Sequence, residues 1–211
     1  MESNDGMEYF YKKPSQCILE TKRYIAVVLA LFAFILSFAM PVHSETGGSI
    51  ASGIGVKRIV PLRLTLSQSF ETVYSPDPER IWPFKVYAEA SYYYLGRSNC
   101  NGSNPPYWNT HLTGGTLGGV LRFVRDPFFF NAHLWPYIDA GLGVAWLSHK
   151  QIAGRKLGMN FQVESKLGCG FRMGDHRQFD IGYRFANFSN AFIKHPNNTV
   201  NLHMLVFGYW Y

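Results

Sequence analysis

The chain has 211 residues, a formal net charge of +6, 17% aromatic residues and 20 glycines, and its mean hydropathy is -0.08. That hydropathy is too low for a bundle of membrane helices, and the aromatic content is high for a soluble domain. The cations stand singly and four of them flank an N-terminal apolar run, so no nucleic-acid partner is expected.

A transmembrane β-barrel accounts for both figures, because only every second residue of each strand faces lipid. A soluble β-sandwich or a lipocalin-like barrel is the alternative. At the N-terminus, Lys12, Lys13, Lys22 and Arg23 precede an uninterrupted apolar run over residues 24–40, followed by Pro41-Val42-His43-Ser44 and then Glu45. A basic region, an apolar core and a small residue before a cut describe a secretory signal peptide, residues 1–44, with cleavage after Ser44. The run is nearly long enough to cross a bilayer at about 20 residues, so an uncleaved anchor is the competing reading. Residues 45–211 then form one domain.

Within that domain, alternation predicts eight strands. The first, residues 53–60, is glycine-rich and weak, and the second, 62–67, sets leucines against Arg63, Thr65 and Ser67. Residues 84–94 put Phe84, Val86 and Tyr92 outward and Lys85, Tyr87 and Glu89 inward. Residues 116–124 turn Leu117 and Leu121 out and Arg122 in; 136–146 turn Ile138, Leu142 and Trp146 out and Asp139 in. Residues 160–173 set Phe161, Val163, Leu167 and Phe171 against Gln162, Glu164, Lys166 and Arg172. The last two, 179–191 and 200–211, carry Ile181, Tyr183, Leu205, Phe207, Tyr209 and Tyr211 on the outer wall. The fold expected is all-β, an eight-stranded antiparallel transmembrane β-barrel of the outer-membrane type.

A barrel of eight strands is only wide enough for its own side chains. The inward cations Arg63, Lys85, Arg122, Lys166, Arg172 and Arg184 should therefore pair with Glu89, Asp139, Glu164 and Asp180 and fill the interior, which disfavours a pore. Catalytic carboxylate pairs are the competing use of the same residues. Trp82, Trp108, Trp135, Trp210 and Phe128-Phe129-Phe130 lie near strand ends and are assigned to aromatic girdles. Cys17 falls in the signal, Cys100 in a polar loop and Cys169 on an outer wall. No Cys/His spacing supports a metal site or a disulfide framework, and no cofactor is expected.

One stretch departs from the apolar outer wall. Asn187 and Ser189 end one strand, Asn201 and His203 begin the next, and residues 190–199 join them, so four polar groups face outward near one rim. Polar strand ends that have left the membrane would look the same. A serine put to chemical use there would need a base, a group to orient it and oxyanion donors.

The string Asn187-Phe-Ser-Asn-Ala-Phe-Ile-Lys-His-Pro-Asn197 resembles the His-x-Ser-Asn-Ala-Gly…Pro-Asn motif of the lipid A 3-O-deacylases, the PagL type of outer-membrane barrel. The likeness extends through residues 136–145 and 160–171. It implies an eight-stranded barrel that removes the 3-linked acyl chain of lipid A by serine esterase chemistry, without a metal, at an outer-wall site near the extracellular rim. It implies Ser189 as nucleophile and Asn190, beside Ala191, as oxyanion donor.

The motif's base histidine is Asn187 here, its orienting glutamate falls at Asn201, and its glycine is Phe192. An asparagine amide has no useful proton affinity near neutral pH. The relocated bases to consider are His203, favoured by strand parity, and His195 in the joining loop. Two functions follow: a lipid A hydrolase, or a non-catalytic barrel with a structural or lipopolysaccharide-binding role. The expected partners are lipid A or lipopolysaccharide and the bacterial outer membrane, with a homodimer as an assembly open to the barrel.

Overall fold

The computed structural model describes residues 45–73, 84–97, 111–125 and 134–211. The segment read as a signal peptide lies outside them, as do Cys100, Trp82, Trp108 and Phe128-Phe129-Phe130. Eight antiparallel strands close into a barrel: β1 (Thr46–Gly55), β2 (Ile59–Val73), β3 (Phe84–Arg97), β4 (His111–Val124), β5 (Leu134–Leu147), β8 (Phe161–Met173), β9 (Phe179–Ser189) and β10 (Val200–Trp210). A two-stranded hairpin, β6 (Gln151–Ile152) and β7 (Arg155–Lys156), stands between β5 and β8. Closure is by β10 on β1, from Gly47 opposite Trp210 to Gly55 opposite Leu202.

The expected first strand is corrected. Residues 53–60 are the end of β1, a tight turn at Val56–Arg58 and the start of β2. The true first strand begins at Thr46, and its run of Gly, Ser and Ala hides the alternation that sends Ile50 and Ile54 outward and Ala51 inward. The second strand is longer than read, and the β6–β7 hairpin has no counterpart in the strand pattern.

The interior is stratified. Towards the rim that carries the 148–160 and 190–199 connections, an apolar cluster gathers Tyr93, Leu95, Leu112, Leu147, Phe188, Leu202 and Met204. Ile152, Ala153 and Leu157 of the hairpin segment join this cluster and are fully buried. Below it runs a ladder of alternating charge. Glu164 meets Arg63 at 3.1 Å and Arg63 meets Glu89 at 3.3 Å, while Lys166 joins Glu89 at 2.7 Å. Arg184 bridges Glu89 (3.2 Å) and Asp139 (3.1 Å), and Arg122 bridges Asp139 (2.9 Å) and Asp180 (3.0 Å). All are buried, so each charge is offset by partners rather than by water. At the mouth nearest the chain ends of the barrel, Glu45 accepts from Arg172 at 2.7 Å and pairs with Lys85. Glu45 is an interior anion that strand patterning did not supply. The carboxylates are thus committed to ion pairs rather than to catalytic couples.

Two tryptophans leave the girdle assigned to them. Trp135 and Trp210 are each 7% exposed and point inward. Trp210 donates its indole N–H to Asp180 Oδ2 at 3.2 Å and packs edge-on against Tyr87. Parity is the reason: Tyr209 and Tyr211 face out, so residue 210 must face in, whatever its distance from a turn. Room for the ladder's last partner comes from glycine. A Cβ on Gly170 or Gly182 would lie 2.6 or 2.5 Å from Tyr137 Oη, which donates to Asp180 Oδ1 at 2.6 Å.

Candidate functional site

Phe188 orients the site. It is fully buried in the apolar cluster and packs edge-on against Tyr93 with ring centroids 5.1 Å apart. Because successive strand residues point to opposite faces, its burial turns Asn187 and Ser189 outward. On β10 the buried Val200 and Leu202 do the same for Asn201. These side chains lie at the rim opposite the first and last residues of the barrel, where β9 and β10 meet through residues 190–199.

Asn187 and Asn201 are directly opposite in the ladder, and Asn187 Nδ2 donates to Asn201 Oδ1. The pair leaves Asn187 Oδ1 as an acceptor and the Asn201 amide N–H groups as donors. Across the other edge of β9, Ser165 faces Asn187 and Val163 faces Ser189. Ser165, Asn187 and Asn201 therefore form one outward polar row across three strands. Ser165 was missed by sequence reasoning, although its parity with Val163 and Leu167 already places it on the outer wall. Neither serine hydroxyl makes a hydrogen bond among the described residues.

His203 does not join this row. It lies opposite Phe185, four residues along β9 from Ser189, a separation of roughly 13 Å at the usual strand rise. Its Nδ1 is 2.6 Å from Tyr183 Oη, and its ring lies 5.2 Å from that of Phe185. That placement takes its imidazole out of hydrogen-bond reach of the serine. His195 is exposed in the joining loop and makes no hydrogen bond with Ser189.

Asn190 is held for another purpose than the one inferred from the motif. Its backbone N–H donates to Asn197 Oδ1 at 2.9 Å, and its side-chain amide donates to Leu157 O (3.0 Å) and Lys194 O (2.6 Å). All of its donors are engaged, so none is aimed at a reacting oxygen above Ser189. The residue is instead a tie between two loops. Gly158, at φ +79, allows that tie: a Cβ there would lie 2.6 Å from Pro196 O and 2.8 Å from Asn190 Nδ2. The turn beyond Asn190 is closed by Ile193 N–H to Asn190 O at 3.0 Å, with Ala191 and Phe192 at φ 52 and 62. Left-handed backbone at both central positions favours glycine, and Phe192 occupies the position where the motif has one.

Among the described residues, no three His, Cys, Asp or Glu side chains gather to hold a metal ion. The arrangement is an apolar, lipid-facing wall interrupted near one rim by neutral hydrogen-bonding groups. That defines an outer-membrane barrel with a polar patch near one rim.

Comparison with known proteins agrees. Residues 65–210 match the family described as lipid A 3-O-deacylase (PagL). The lipid A deacylase PagL of Bordetella bronchiseptica is 35% identical, over 54% of this chain and 75% of the relative. That of Pseudomonas aeruginosa is 31% identical, over 48% of this chain and 62% of the relative. The crystal structure of the outer membrane enzyme PagL superposes with a TM-score of 0.63 at 21% identity, covering 77% of this chain and 98% of that one, which shows a shared fold. The chain belongs to the lipid A 3-O-deacylase (PagL) family, and it is an outer-membrane protein.

Proposed function

We propose that the barrel docks the 3-O-acyl region of lipid A against the outward patch of Ser165, Asn187, Ser189 and Asn201, and hydrolyses it slowly or not at all. The observation that carries this reading is the Asn187–Asn201 amide pair. Those are the two positions where the resemblance implies a base and its orienting acid. A neutral amide couple offers donors and an acceptor to an ester or amide linkage but takes no proton from Ser189. With the base gone, a serine nucleophile retains only a small part of its rate.

The hydrolytic reading rests on one observation, the unpartnered outward hydroxyl of Ser189. Mass spectrometry of lipid A incubated with the refolded barrel separates the two. Unchanged lipid mass over a long incubation with folded protein supports docking. Loss of one hydroxyacyl chain that disappears in Ser189→Ala would establish an esterase and sink the docking reading.

A further inference from the structure

Directly beside Ser189, two loops that carry positive charge are laced together. Asn190 ties Leu157 O of one to Lys194 O of the other, and Asn198 N–H reaches Lys156 O at 3.4 Å. Leu157 N–H closes the first loop on Lys150 O at 2.7 Å, and the fully buried Ile152, Ala153 and Leu157 anchor it in the barrel. Lys150, Arg155 and Lys156 belong to the first loop and Lys194 to the second. Neither segment, 148–160 or 190–199, contains an aspartate or glutamate.

These four cations make no ion pair among the described residues, whereas every cation of the interior ladder has a carboxylate partner. Arg155 lies opposite the buried Ile152 in the hairpin and Lys156 opposite Gln151, so these two side chains point to opposite faces and only Lys156 faces outward. Three exposed lysines on two loops without a carboxylate make a local excess of positive charge that an outside anion would offset. Phe192 and Ile193, 77% and 66% exposed, stand next to Lys194 on the same loop, so apolar and cationic groups are presented together.

We infer that the exposed Lys150, Lys156 and Lys194 form a cradle for the phosphate of a phosphorylated glycolipid headgroup, whose acyl chains lie on the wall below. The ligand chemistry follows from position. The cradle sits at the rim, above an acyl-facing wall, where the anions in reach are headgroup phosphates. Asn190 becomes the positioning residue that holds both halves together. The inference rests on the docking reading only for the placement of the acyl chains.

Native mass spectrometry of the full barrel in detergent tests it, titrating bis-phosphorylated lipid A against the same lipid with both phosphates removed. The barrel is expected to bind the phosphorylated form at least about tenfold more tightly, since each cation near an anionic surface contributes appreciably. Lys150→Ser/Lys156→Ser/Lys194→Ser, three exposed loop positions, is expected to abolish that preference while the fold persists. Equal binding of the two lipids, or a preference retained by the triple variant, overturns the cradle. So does phosphatidylglycerol that displaces lipid A at equal concentration. Ser189→Trp separates the two readings. It should weaken both lipids alike if the wall is the docking surface, and an unaltered Ser189→Trp barrel that keeps its phosphate preference sinks the wall and leaves the cradle.

Discussion

Asn187 and Asn201 face each other across the β9–β10 ladder and are joined by a side-chain hydrogen bond on the outer wall of the barrel. Neither touches the buried ladder, so the pair bears on what the wall presents rather than on what holds the barrel together. Asn201→Leu should leave stability within about 1 kcal/mol of wild type, as an outward surface change. It should also weaken lipid A binding several-fold, because the donor row is broken. Titration of both proteins with lipid A, alongside urea unfolding in vesicles, checks the two halves together.

The interior supplies a contrasting case. Arg184 is the cation between Glu89 and Asp139, at 3.2 and 3.1 Å. Arg184→Met would leave Glu89 to Arg63 and Lys166 and Asp139 to Arg122 alone, a loss on the order of 1–3 kcal/mol. The midpoint of urea unfolding should fall accordingly. A midpoint shift equivalent to under about 1 kcal/mol would mean that the ladder is dispensable.

Phe192 sits at φ 62, a conformation that disfavours a side chain by about 1–2 kcal/mol. Its ring is 77% exposed and contributes little burial. Phe192→Gly should therefore raise stability by about 1 kcal/mol, less the extra chain entropy of glycine when unfolded. A lowered unfolding midpoint would show that the ring is held by contacts the turn depends on.

The mouth of the barrel should respond to acid. Burial alone would raise the Glu45 carboxyl, but Arg172 and Lys85 beside it hold it down to about 2 from an ordinary 4.5. A depressed carboxyl stabilises the fold fully above its unfolded value and loses that contribution as pH falls from 4.5 towards 2. The side chain is 34% exposed, so the effect is screened to about 1–2 kcal/mol. Glu45→Gln should be less stable than wild type at pH 7, and the gap should close on acidification. A gap that is constant with pH would contradict the pairing.

Much of the barrel could be read from alternation because an outer wall of Ile138, Leu142, Val144 and Trp146 against Asp139 is unambiguous at a period of two. β1 could not, since Gly47, Gly48 and Gly53 carry no side chain to alternate. The tryptophans misled because nearness to a turn was weighed above parity. At the site, Ser189, Asn187 and Asn201 were found in one place, as parity and the motif implied. His203 was not, because its distance from Ser189 depends on cross-strand register, which hydrogen bonding across the β9–β10 ladder sets and a single strand's pattern does not reveal. Asn190 carried no sign of its loop tie, which needs Leu157 and Lys194 brought to it by the fold.

On the proposed reading, Ser189 hydrolyses slowly or not at all because an amide pair stands where proton transfer requires an imidazole and a carboxylate. Asn187→His/Asn201→Glu, with Phe192→Gly to relax the turn, rebuilds that pair beside an unaltered serine. Incubated with lipid A and read by mass spectrometry, the rebuilt barrel is expected to release one 3-linked hydroxyacyl chain at least about 10³-fold faster than wild type. The release should be abolished again by Ser189→Ala. A wild-type barrel that already releases the chain in a Ser189-dependent way, or a folded rebuilt barrel no faster than wild type, would contradict the account.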